Sequence, residues 1–376
     1  MKHLVLVTTS FPDGTSGSEA AGSFVEDLAK QLSLHIMVTV LAPGKKTSIE
    51  TLENLTIKRF AVPRLPLSLL KAHIPFHWRA IIKTIFSGKA ALEEICEQKT
   101  VDHIFSLWVL PSGYWAYRIK KKKGIPYSVW ALGSDIWSLG KMPAIRNVLK
   151  TTITDSYRSF ADGYKLANNV RSISNRDCDF LPSSRALPLP EPKTLRSKPP
   201  FHLAYIGRWH PNKGVDILLD SLKMLDNNQW VLIKEIMICG GGPMEELVHR
   251  KCNALINQGR PITLRGYVDK EDAAKILHQA DYLIIPSRIE SIPVIFSDAM
   301  QCMCPVISTP VGDMPKLINE HNVGFLSSEP SSEALLHVIQ KALTTKPNTF
   351  TDSLIKAQPE FNIQTTAKTL ISKLGL

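Results

Sequence analysis

Residues 282–308 read YLIIPSRIESIPVIFSDAMQCMCPVIS and contain a complete strand–helix–strand pattern. The apolar runs at 282–285 and 305–308 predict two short buried strands. Pro293 predicts the first turn of a helix between them, because proline is favoured at that position. A polar loop, 286–292, joins the first strand to the helix. This order is typical of a parallel sheet whose two faces are covered by helices.

The same alternation runs through the rest of the chain. Further apolar strands are predicted at 4–8, 36–42, 103–107 and 127–131, and then at 203–206, 233–239 and 262–264. Amphipathic stretches such as 20–32 and 217–225 predict the helices between them. We therefore predict an α/β protein with two Rossmann-like domains, each built on a parallel sheet, that face a cleft between them.

Six prolines mark the expected domain boundary, since such a density cannot run inside a helix or a central strand. They are Pro182, Pro188, Pro190, Pro192, Pro199 and Pro200. We predict an N-terminal domain over 1–190 and a C-terminal domain over 191–376. The sequence leaves open that the last helix packs back on the first domain.

The chain of 376 residues is basic, with 45 Lys+Arg against 34 Asp+Glu and a net charge of +11. Residues 1–195 hold 26 of the basic and 16 of the acidic residues, so the first half holds almost all the excess. This asymmetry indicates an anionic partner for that half, either nucleic acid, an anionic bilayer or a phosphorylated acceptor. The alternative is a basic surface that only confers solubility.

Composition excludes fibrous, disordered and disulfide-scaffold proteins, since 44% of residues are hydrophobic and only six are Cys. The cysteines lack paired zinc-type spacing and are expected to be reduced thiols of a cytosolic protein. The N-terminal apolar run ends after five residues, which favours a strand over a signal peptide. No run approaches the roughly 18 apolar residues of a membrane-spanning helix. We expect a cytoplasmic protein. Peripheral attachment to the inner face of the membrane is compatible with this expectation.

Two loops of the second half predict a phosphate site. Gly207 would let the chain turn at a strand end, and Arg208 and Lys213 in the same loop could bind a diphosphate. The next strand runs into a glycine loop, 240–243, which would permit close approach of a ligand. The alternative is a pair of surface cations and an ordinary glycine turn.

The loop after the strand at 282–285 adds an acid and a helix N-terminus. Free amides around 291–294 would form an anion site, with Glu290 beside it and Asp298 about two turns along the helix. An acid, cations and amides together point to a polar reaction centre. The alternatives are that Glu290 is a capping acid and that Asp298 is a solvated helix charge.

The order of these motifs resembles glycosyltransferase family 4, the retaining group 1 enzymes of GT-B fold. The similarity covers the strand–Gly–Arg loop with Lys213 and Gly214, the glycine loop, Leu264, Gly266 and Val268, and the acidic helix followed by 305–312. It extends over the whole chain and is most specific from about 203 to 318.

This resemblance implies sugar transfer from a UDP-, GDP- or similar nucleotide sugar with retention at the anomeric carbon. It implies that Arg208 and Lys213 neutralise the diphosphate and that Glu290 contacts the donor sugar, with Asp298 at the ribose and Tyr267 and Val268 near the base. The remaining donor-binding residues implied are Gly207, Gly241, Gly242, Ser291, Ile292, Pro293 and Val294. Enzymes of this fold generally need no metal, and we expect no metal and no other cofactor.

Two residues depart from the family pattern, and two short runs look like metal motifs. Asp298 stands where the family has Glu, and Met303 stands where it has glycine. The Cys302–Met303–Cys304 run is too sparse for a metal site. Residues 177–179, Asp-Cys-Asp, look like the metal motif of the other glycosyltransferase fold, but their position near the linker favours a chance match.

The first half supplies the expected acceptor side. The glycine-bearing segment at 10–25 resembles the family's N-terminal loop, with Gly17 and Gly22 as candidates for close ligand approach, or it is a flexible surface loop. Ser134 and Asp135 lie in a second such loop, where Leu132 replaces the His of many relatives. The alternative for Asp135 is a helix N-cap.

Residues 64–86 are apolar, aromatic and purely basic, and a Lys run lies at 120–123. Together they would suit an anionic lipid surface, or they are a core helix pair with solvated lysines.

We predict a retaining glycosyltransferase that passes sugar to a glycan or lipid-linked acceptor in surface polysaccharide biosynthesis. The alternatives are a sugar-nucleotide epimerase of the same fold and a non-catalytic module that binds nucleotide or membrane. No nucleic-acid partner is expected, because no basic stripe is interleaved with stacking aromatics.

Overall fold

The computed structural model describes residues 1–12, 19–65, 67, 70, 74–188 and 193–376. The chain divides into two compact units. The first contains Met1–Pro182 together with Ile363–Leu376, and the second contains Ser183–Asn362. The division therefore falls ahead of the 190/191 boundary expected from the prolines, and the last helix belongs to the first unit. Pro190 and Pro192 lie outside the described residues.

The first unit is built on an eight-stranded sheet in the order β3-β4-β2-β1-β5-β6-β7-β8. Its strands are β1 (His3–Val7), β2 (Met37–Gly44), β3 (Ser48–Leu52), β4 (Leu55–Ala61), β5 (His103–Leu107), β6 (Tyr127–Ala131), β7 (Ser159–Ala161) and β8 (Asp179–Phe180). Its helices are α1 (Glu19–Ser33), α2 (Trp78–Gln98), α3 (Tyr114–Lys123), α4 (Ser134–Trp137), α5 (Pro143–Asp155), α6 (Tyr164–Ser174) and, from the end of the chain, α15 (Ile363–Leu374).

The second unit is built on a six-stranded sheet in the order β11-β10-β9-β12-β13-β14. Its strands are β9 (Phe201–Ile206), β10 (Ile233–Cys239), β11 (Ile262–Arg265), β12 (Tyr282–Ile285), β13 (Val306–Ser308) and β14 (Gly324–Leu326). Its helices are α7 (Val215–Lys223), α8 (Asn227–Trp230), α9 (Glu245–Ile256), α10 (Lys270–Gln279), α11 (Val294–Gln301), α12 (Met314–His321), α13 (Ser332–Thr344) and α14 (Thr351–Ala357).

The sheets are parallel because their central strands are apolar on both faces. All residues of β1, β5, β6 and β12 are buried, as expected of strands covered by helices on each side. Every pairing in the second sheet is parallel, and in the first sheet only β3 runs antiparallel to its neighbour. The predicted α/β class with two parallel sheets is confirmed.

The predicted strands all form, with ends shifted by at most two residues, and β3, β4, β7, β8 and β14 are additional. All five residues of β3 are exposed, so this edge strand has no apolar run to reveal it. The strands β7, β8 and β14 contain three residues or fewer, which is too short for periodicity to show.

Candidate functional site

Three loops of the second unit meet at one edge of its sheet. They follow β9, β10 and β12, which are adjacent and parallel in the order β10-β9-β12. The carboxyl ends of adjacent parallel strands lie together, and this edge is where open α/β sheets bind ligands. Arg208, Lys213, Gly241, Gly242 and Glu290 all lie in these loops, far apart in sequence.

The loops after β9 and β10 pack backbone against backbone, which explains their glycines. A Cβ on Gly240, whose φ is +150°, would overlap the carbonyl oxygen of Gly207. The amide of Trp209 donates to the carbonyl oxygen of Gly241 at 2.8 Å, and a Cβ on Gly242 would lie 2.8 Å from the carbonyl oxygen of Trp209. The glycines are therefore required by the contact between the two loops, whether or not a ligand is bound.

Tyr267 covers the glycine loop from the end of β11. Its hydroxyl donates to the carbonyl oxygen of Gly241 at 2.8 Å, and a Cβ on Gly241 would lie 2.6 Å from the Tyr267 ring. The Tyr267 side chain is 52% exposed, which leaves part of the ring free to stack on another planar group. Val268 is half-buried and precedes Asp269, whose side chain caps α10 by accepting from the Asp272 amide at 2.8 Å.

A second set of contacts joins the loops after β9 and β12. A Cβ on Gly214 would overlap the carbonyl oxygen of Pro286, and the amide of Arg288 donates to the carbonyl oxygen of Asn212 at 2.8 Å. Arg288 also donates to both carboxylate oxygens of Asp216, at 2.8 and 2.6 Å. Burial opposes ionisation of Asp216, but the hydrogen bonds from Arg288 outweigh it and hold the pKa of this carboxyl below its ordinary value. The loops after β9 and β12 are therefore fixed against each other, mainly through their backbones.

These contacts place Lys213 directly against Glu290. The Lys213 ammonium donates to Glu290 Oε1, which also accepts from the Ser287 hydroxyl at 3.1 Å. The side chain of Glu290 is 12% exposed and that of Lys213 is 36% exposed. The acid is therefore largely buried, and its lysine partner is more exposed. Glu290 is therefore an ion-pair partner, and the cap position of α11 is taken by Pro293, so the capping alternative is wrong.

Arg208 differs from Lys213 in that its guanidinium is exposed. Within the described part of the chain, no carboxylate lies within ion-pair distance of it. The same loop therefore offers one cation already paired with an acid and a second cation available to an anionic ligand.

The N-terminus of α11 lies next to this pair. The backbone of Ser291 is fixed by a hydrogen bond, since its carbonyl oxygen accepts from the Asp313 amide at 3.1 Å. Ile292, the next residue, is buried. The Ser291 side chain is 8% exposed, and its hydroxyl has no hydrogen-bond partner among the described residues. The amides of Val294 and Ile295, in the first turn, have no partner within the helix. An unsatisfied hydroxyl and free amides together suit an anion.

Asp298 is fully buried, so the alternative of a solvated helix charge is wrong. Both of its carboxylate oxygens accept from Arg185: Nε lies 3.3 and 3.1 Å from them, and Nη2 also donates. The Arg185 side chain is 16% exposed. Sequence reasoning missed Arg185, since nothing in the linker marks it as the partner of an acid 113 residues away.

In the first unit, Asp135 connects two loops. It is 1% exposed, and its carboxylate accepts from the amides of Val109, Ile136 and Leu132 at 2.7, 3.1 and 3.4 Å. Burial raises the pKa of Asp135 to about 6. The cap position of α4 is Gly133, so the N-cap alternative for Asp135 is wrong.

The other predicted acceptor-side residues differ from Asp135 in their surroundings. Ser134 is exposed at the start of α4, and Gly22 lies in α1 with its Cα turned to the backbone of Phe11, where a Cβ would meet Phe11 Cα at 2.8 Å. Gly22 thus makes a close approach to the chain itself. Gly17 lies outside the described residues.

The 177–179 run takes part in ion pairs of the first unit. Cys178 is buried, and Asp179 lies 2.8 Å from Lys373 and 3.5 Å from Arg158. Within the described ranges, no group of three His, Cys, Asp or Glu residues could hold a metal ion, and no helix is both long and apolar enough to cross a membrane.

Comparisons with known proteins relate the second unit to a described family. Residues 200–345 match the family model described as "Glycosyl transferases group 1". The putative teichuronic acid biosynthesis glycosyltransferase TuaC of Bacillus subtilis is 25% identical over 287 residues, which cover 72% of this chain and 69% of TuaC.

Solved structures share the fold over the whole chain. Sucrose-phosphate synthase of Thermosynechococcus elongatus superposes with a TM-score of 0.76 at 18% identity, over 99% of this chain and 98% of that one. HepE of Anabaena in complex with UDP-glucose gives 0.71 at 16% identity, over 100% and 99%. Of the three activities considered from the sequence, the transferase is the one that these comparisons support. The chain is a glycosyltransferase of GT-B fold, and its residues 200–345 are similar to the group 1 glycosyl transferases.

Proposed function

We propose that the protein is a retaining enzyme of glycosyltransferase family 4 that transfers a sugar from a nucleotide diphosphate sugar. The Lys213–Glu290 ion pair carries this proposal, because it joins a cation and an acid at the edge of the sheet beside an exposed Arg208 and the free amides of α11. The superposed HepE structure contains UDP-glucose, which supports a uridine or similar nucleotide on the donor.

The proposed chemistry follows from where charge develops. When the bond between sugar and phosphate breaks, negative charge accumulates on the leaving diphosphate, and aimed cations and amides lower the barrier. Arg208 and Lys213 would bind the diphosphate, with the Ser291 hydroxyl and the amides of Val294 and Ile295 directed to the same group. Because the chain supplies these cations itself, we expect turnover to be unchanged by a metal chelator.

Glu290 would contact the donor sugar through the carboxylate oxygen that does not bind Lys213. Its second oxygen, Oε2, takes no part in the bonds to Lys213 and Ser287 described above. Tyr267 and Val268 would contact the base, since the Tyr267 ring is half exposed beside the glycine loop. A ribose contact by Asp298 would require its pair with Arg185 to open, because Arg185 binds both carboxylate oxygens.

For the acceptor we propose a glycan or a lipid-linked saccharide in surface polysaccharide biosynthesis, with the reaction at the cytoplasmic face of the membrane. The name of TuaC, which refers to teichuronic acid biosynthesis, supports a polysaccharide product. The starts of α1 and α4 in the first unit, which hold Gly22, Ser134 and Asp135, would lie on the acceptor side.

The test is turnover of a panel of UDP- and GDP-sugars by the full-length protein. We expect Lys213→Ala and Glu290→Gln each to lower kcat by roughly 100-fold or more, since each removes a group aimed at the reacting bond. Matched controls in the same unit are Lys223→Ala and Glu271→Gln, both exposed and outside the site. Unchanged turnover in the site variants would refute this assignment.

Retention has its own readout. The anomeric configuration of the product, observed by NMR before mutarotation, should match that of the donor. Inversion would place the enzyme outside family 4 chemistry while leaving the donor assignment intact.

A further inference from the structure

An exposed apolar face lies on the first unit, outside every loop discussed above. It consists of the turn Pro75–His77 and the first turns of α2. Five large apolar side chains on it are exposed: Phe76 (89%), Trp78 (55%), Ile82 (52%), Ile85 (38%) and Phe86 (66%). We refer to these five residues as the α2 apolar face. A cluster of this size on a surface helix indicates a binding surface rather than scattered exposure.

The opposite face of α2 packs into the core of the first unit. Its buried residues are Thr84, Gly88, Ala91, Leu92, Ile95 and Cys96. Contact there is close, since a Cβ on Gly88 would overlap the ring of Trp115 in α3. The helix is thus oriented by its buried side, and the α2 apolar face points away from the core of the unit.

The charge on this face is of one sign. Arg79 and Lys83 lie among the apolar residues and are exposed, and in the described part of the chain neither is within ion-pair distance of a carboxylate. The sequence has no Asp or Glu from 54 to 92, so these two cations are not balanced locally.

The lysines at 120–123 differ from Arg79 and Lys83, because each of them lies within ion-pair distance of an acid. The lipid-binding surface expected from the sequence therefore does not extend to them as unpaired cations. Lys120 and Lys121 lie 3.1 and 2.9 Å from Asp155. Lys122 and Lys123 lie 3.9 and 3.5 Å from Glu97, at the far end of α2. These four cations lie beside acids, whereas Arg79 and Lys83 at the start of α2 do not in the described part of the chain.

We propose that the α2 apolar face, with Arg79 and Lys83, docks on an anionic lipid bilayer. Aromatic and aliphatic side chains enter the interface between head groups and acyl chains, and nearby cations are attracted to anionic lipid. Charge complementarity favours this occupant over a second copy of the chain, because two such faces would oppose Arg79 and Lys83 with identical cations. The bilayer would hold the first unit at the membrane, where lipid-linked molecules are found.

The experiment is flotation of the full-length protein with vesicles of phosphatidylcholine alone or mixed with phosphatidylglycerol. We expect binding only to the anionic vesicles, stronger at low salt than at high salt. Arg79→Glu/Lys83→Glu should weaken binding by at least about 30-fold, because each cation near the surface contributes several-fold. Phe76→Ser/Ile82→Ser/Phe86→Ser should abolish binding to the same vesicles.

Matched controls lie on the same unit. Lys45→Glu/Lys46→Glu reverses two exposed cations, and Ile49→Ser/Leu52→Ser removes two apolar side chains that are 63% and 54% exposed. Both controls should bind like the parent protein. Circular dichroism and donor hydrolysis in solution should be unchanged in every variant, which separates this proposal from the proposed function.

Three results would overturn the proposal. They are no binding of the parent protein to anionic vesicles at low salt, equal losses in the control variants, and a dimer in sedimentation equilibrium that Phe86→Ser dissociates. The third result would assign the α2 apolar face to a second copy of the chain.

Discussion

At the scale of single residues, Met303 shows how one backbone angle explains a departure from the family pattern. Its φ is +53°, in the left-handed region that favours glycine, directly after the end of α11. Glycine adopts this conformation without the strain of a Cβ. We expect Met303→Gly to have a higher free energy of unfolding than Met303→Ala, by about 1 kcal/mol in denaturant titrations.

A control at an ordinary helical position should show the opposite order. Lys275 lies in α10 with its side chain 69% exposed, so Lys275→Ala should be more stable than Lys275→Gly by about 1 kcal/mol. If alanine were also preferred at 303, strain at that position would not account for the glycine of the family.

The pair of Arg185 with Asp298 has a second residue-scale consequence. Arg185 binds both oxygens of the buried Asp298 carboxylate, and breaking a buried ion pair costs about 3–5 kcal/mol. We expect Arg185→Ala to lower the free energy of unfolding of the second unit by that amount. Lys251→Ala removes a more exposed pair, with Asp220 at 2.6 Å, and should cost about 1 kcal/mol or less. Equal effects in the two variants would contradict the burial argument.

Asp135 predicts a pH dependence. Its pKa is raised by burial from 3.8 to about 6, so the folded first unit binds a proton more tightly than the unfolded chain does. The stability contributed by this group is present below about pH 4 and is lost as the pH rises through about 6. Asp135→Asn does not titrate, so its free energy of unfolding should rise relative to the parent protein by up to about 3 kcal/mol between pH 4 and 7.

The measurement is urea unfolding of both proteins across this pH range. The variant has an NH2 donor in place of one of the two acceptor oxygens of Asp135 at every pH, which offsets the two curves. Parallel curves would show that Asp135 titrates in the folded state as it does in the unfolded state.

At the scale of elements, α15 belongs to the first unit although it follows the second in sequence. Ile363, Ala367, Leu370 and Leu374 pack into the core formed by β1, β2 and α1. Leu370 is 0% exposed, so Leu370→Ala should lower the free energy of unfolding of the first unit by about 2–5 kcal/mol. Amide exchange in β1 and α1, followed by mass spectrometry, would place the effect in that unit.

The control for α15 is Ile355→Ala in α14, where the side chain is 55% exposed and a change within about 0.5 kcal/mol is expected. Faster exchange in the second unit and none in the first after Leu370→Ala would contradict the assignment of α15.

At the scale of the whole molecule, the donor site is assigned to one unit only. We expect UDP or GDP to slow amide exchange at 207–214, 240–243 and 287–294 in the second unit, because these segments form the candidate site. The strands of the first unit should exchange as before. Arg208→Ala should reduce the protection, and protection confined to the first unit would contradict the assignment.

The structure also separates two groups of cations within the basic first unit, whose sequence carries most of the net charge of +11. The sequence places the excess in the first half, and the structure shows which of its cations are paired. The Lys run pairs with Asp155, Glu93 and Glu97, whereas Arg79 and Lys83 have no acid nearby in the described ranges.

Much of the fold follows from local sequence. Near-continuous apolar runs predict the buried strands of both sheets, because such runs are stable only between two layers of helices. The loops that follow those strands can be named in advance, since ligands bind at the carboxyl ends of parallel strands. Arg208, Lys213, the glycine loop and Glu290 were therefore accessible to sequence reasoning.

Other features depended on packing between distant segments. The contact of Lys213 with Glu290, the pair of Arg185 with Asp298 and the three amides on Asp135 join residues that no local pattern connects. The sequence left open whether residues 64–86 meet a lipid surface or form core helices, and only the packing of α2 decided which of its side chains are exposed. Hydrophobic periodicity is a local property and sets the elements, whereas ion pairing and exposure are set only when parallel strands and their helices come together.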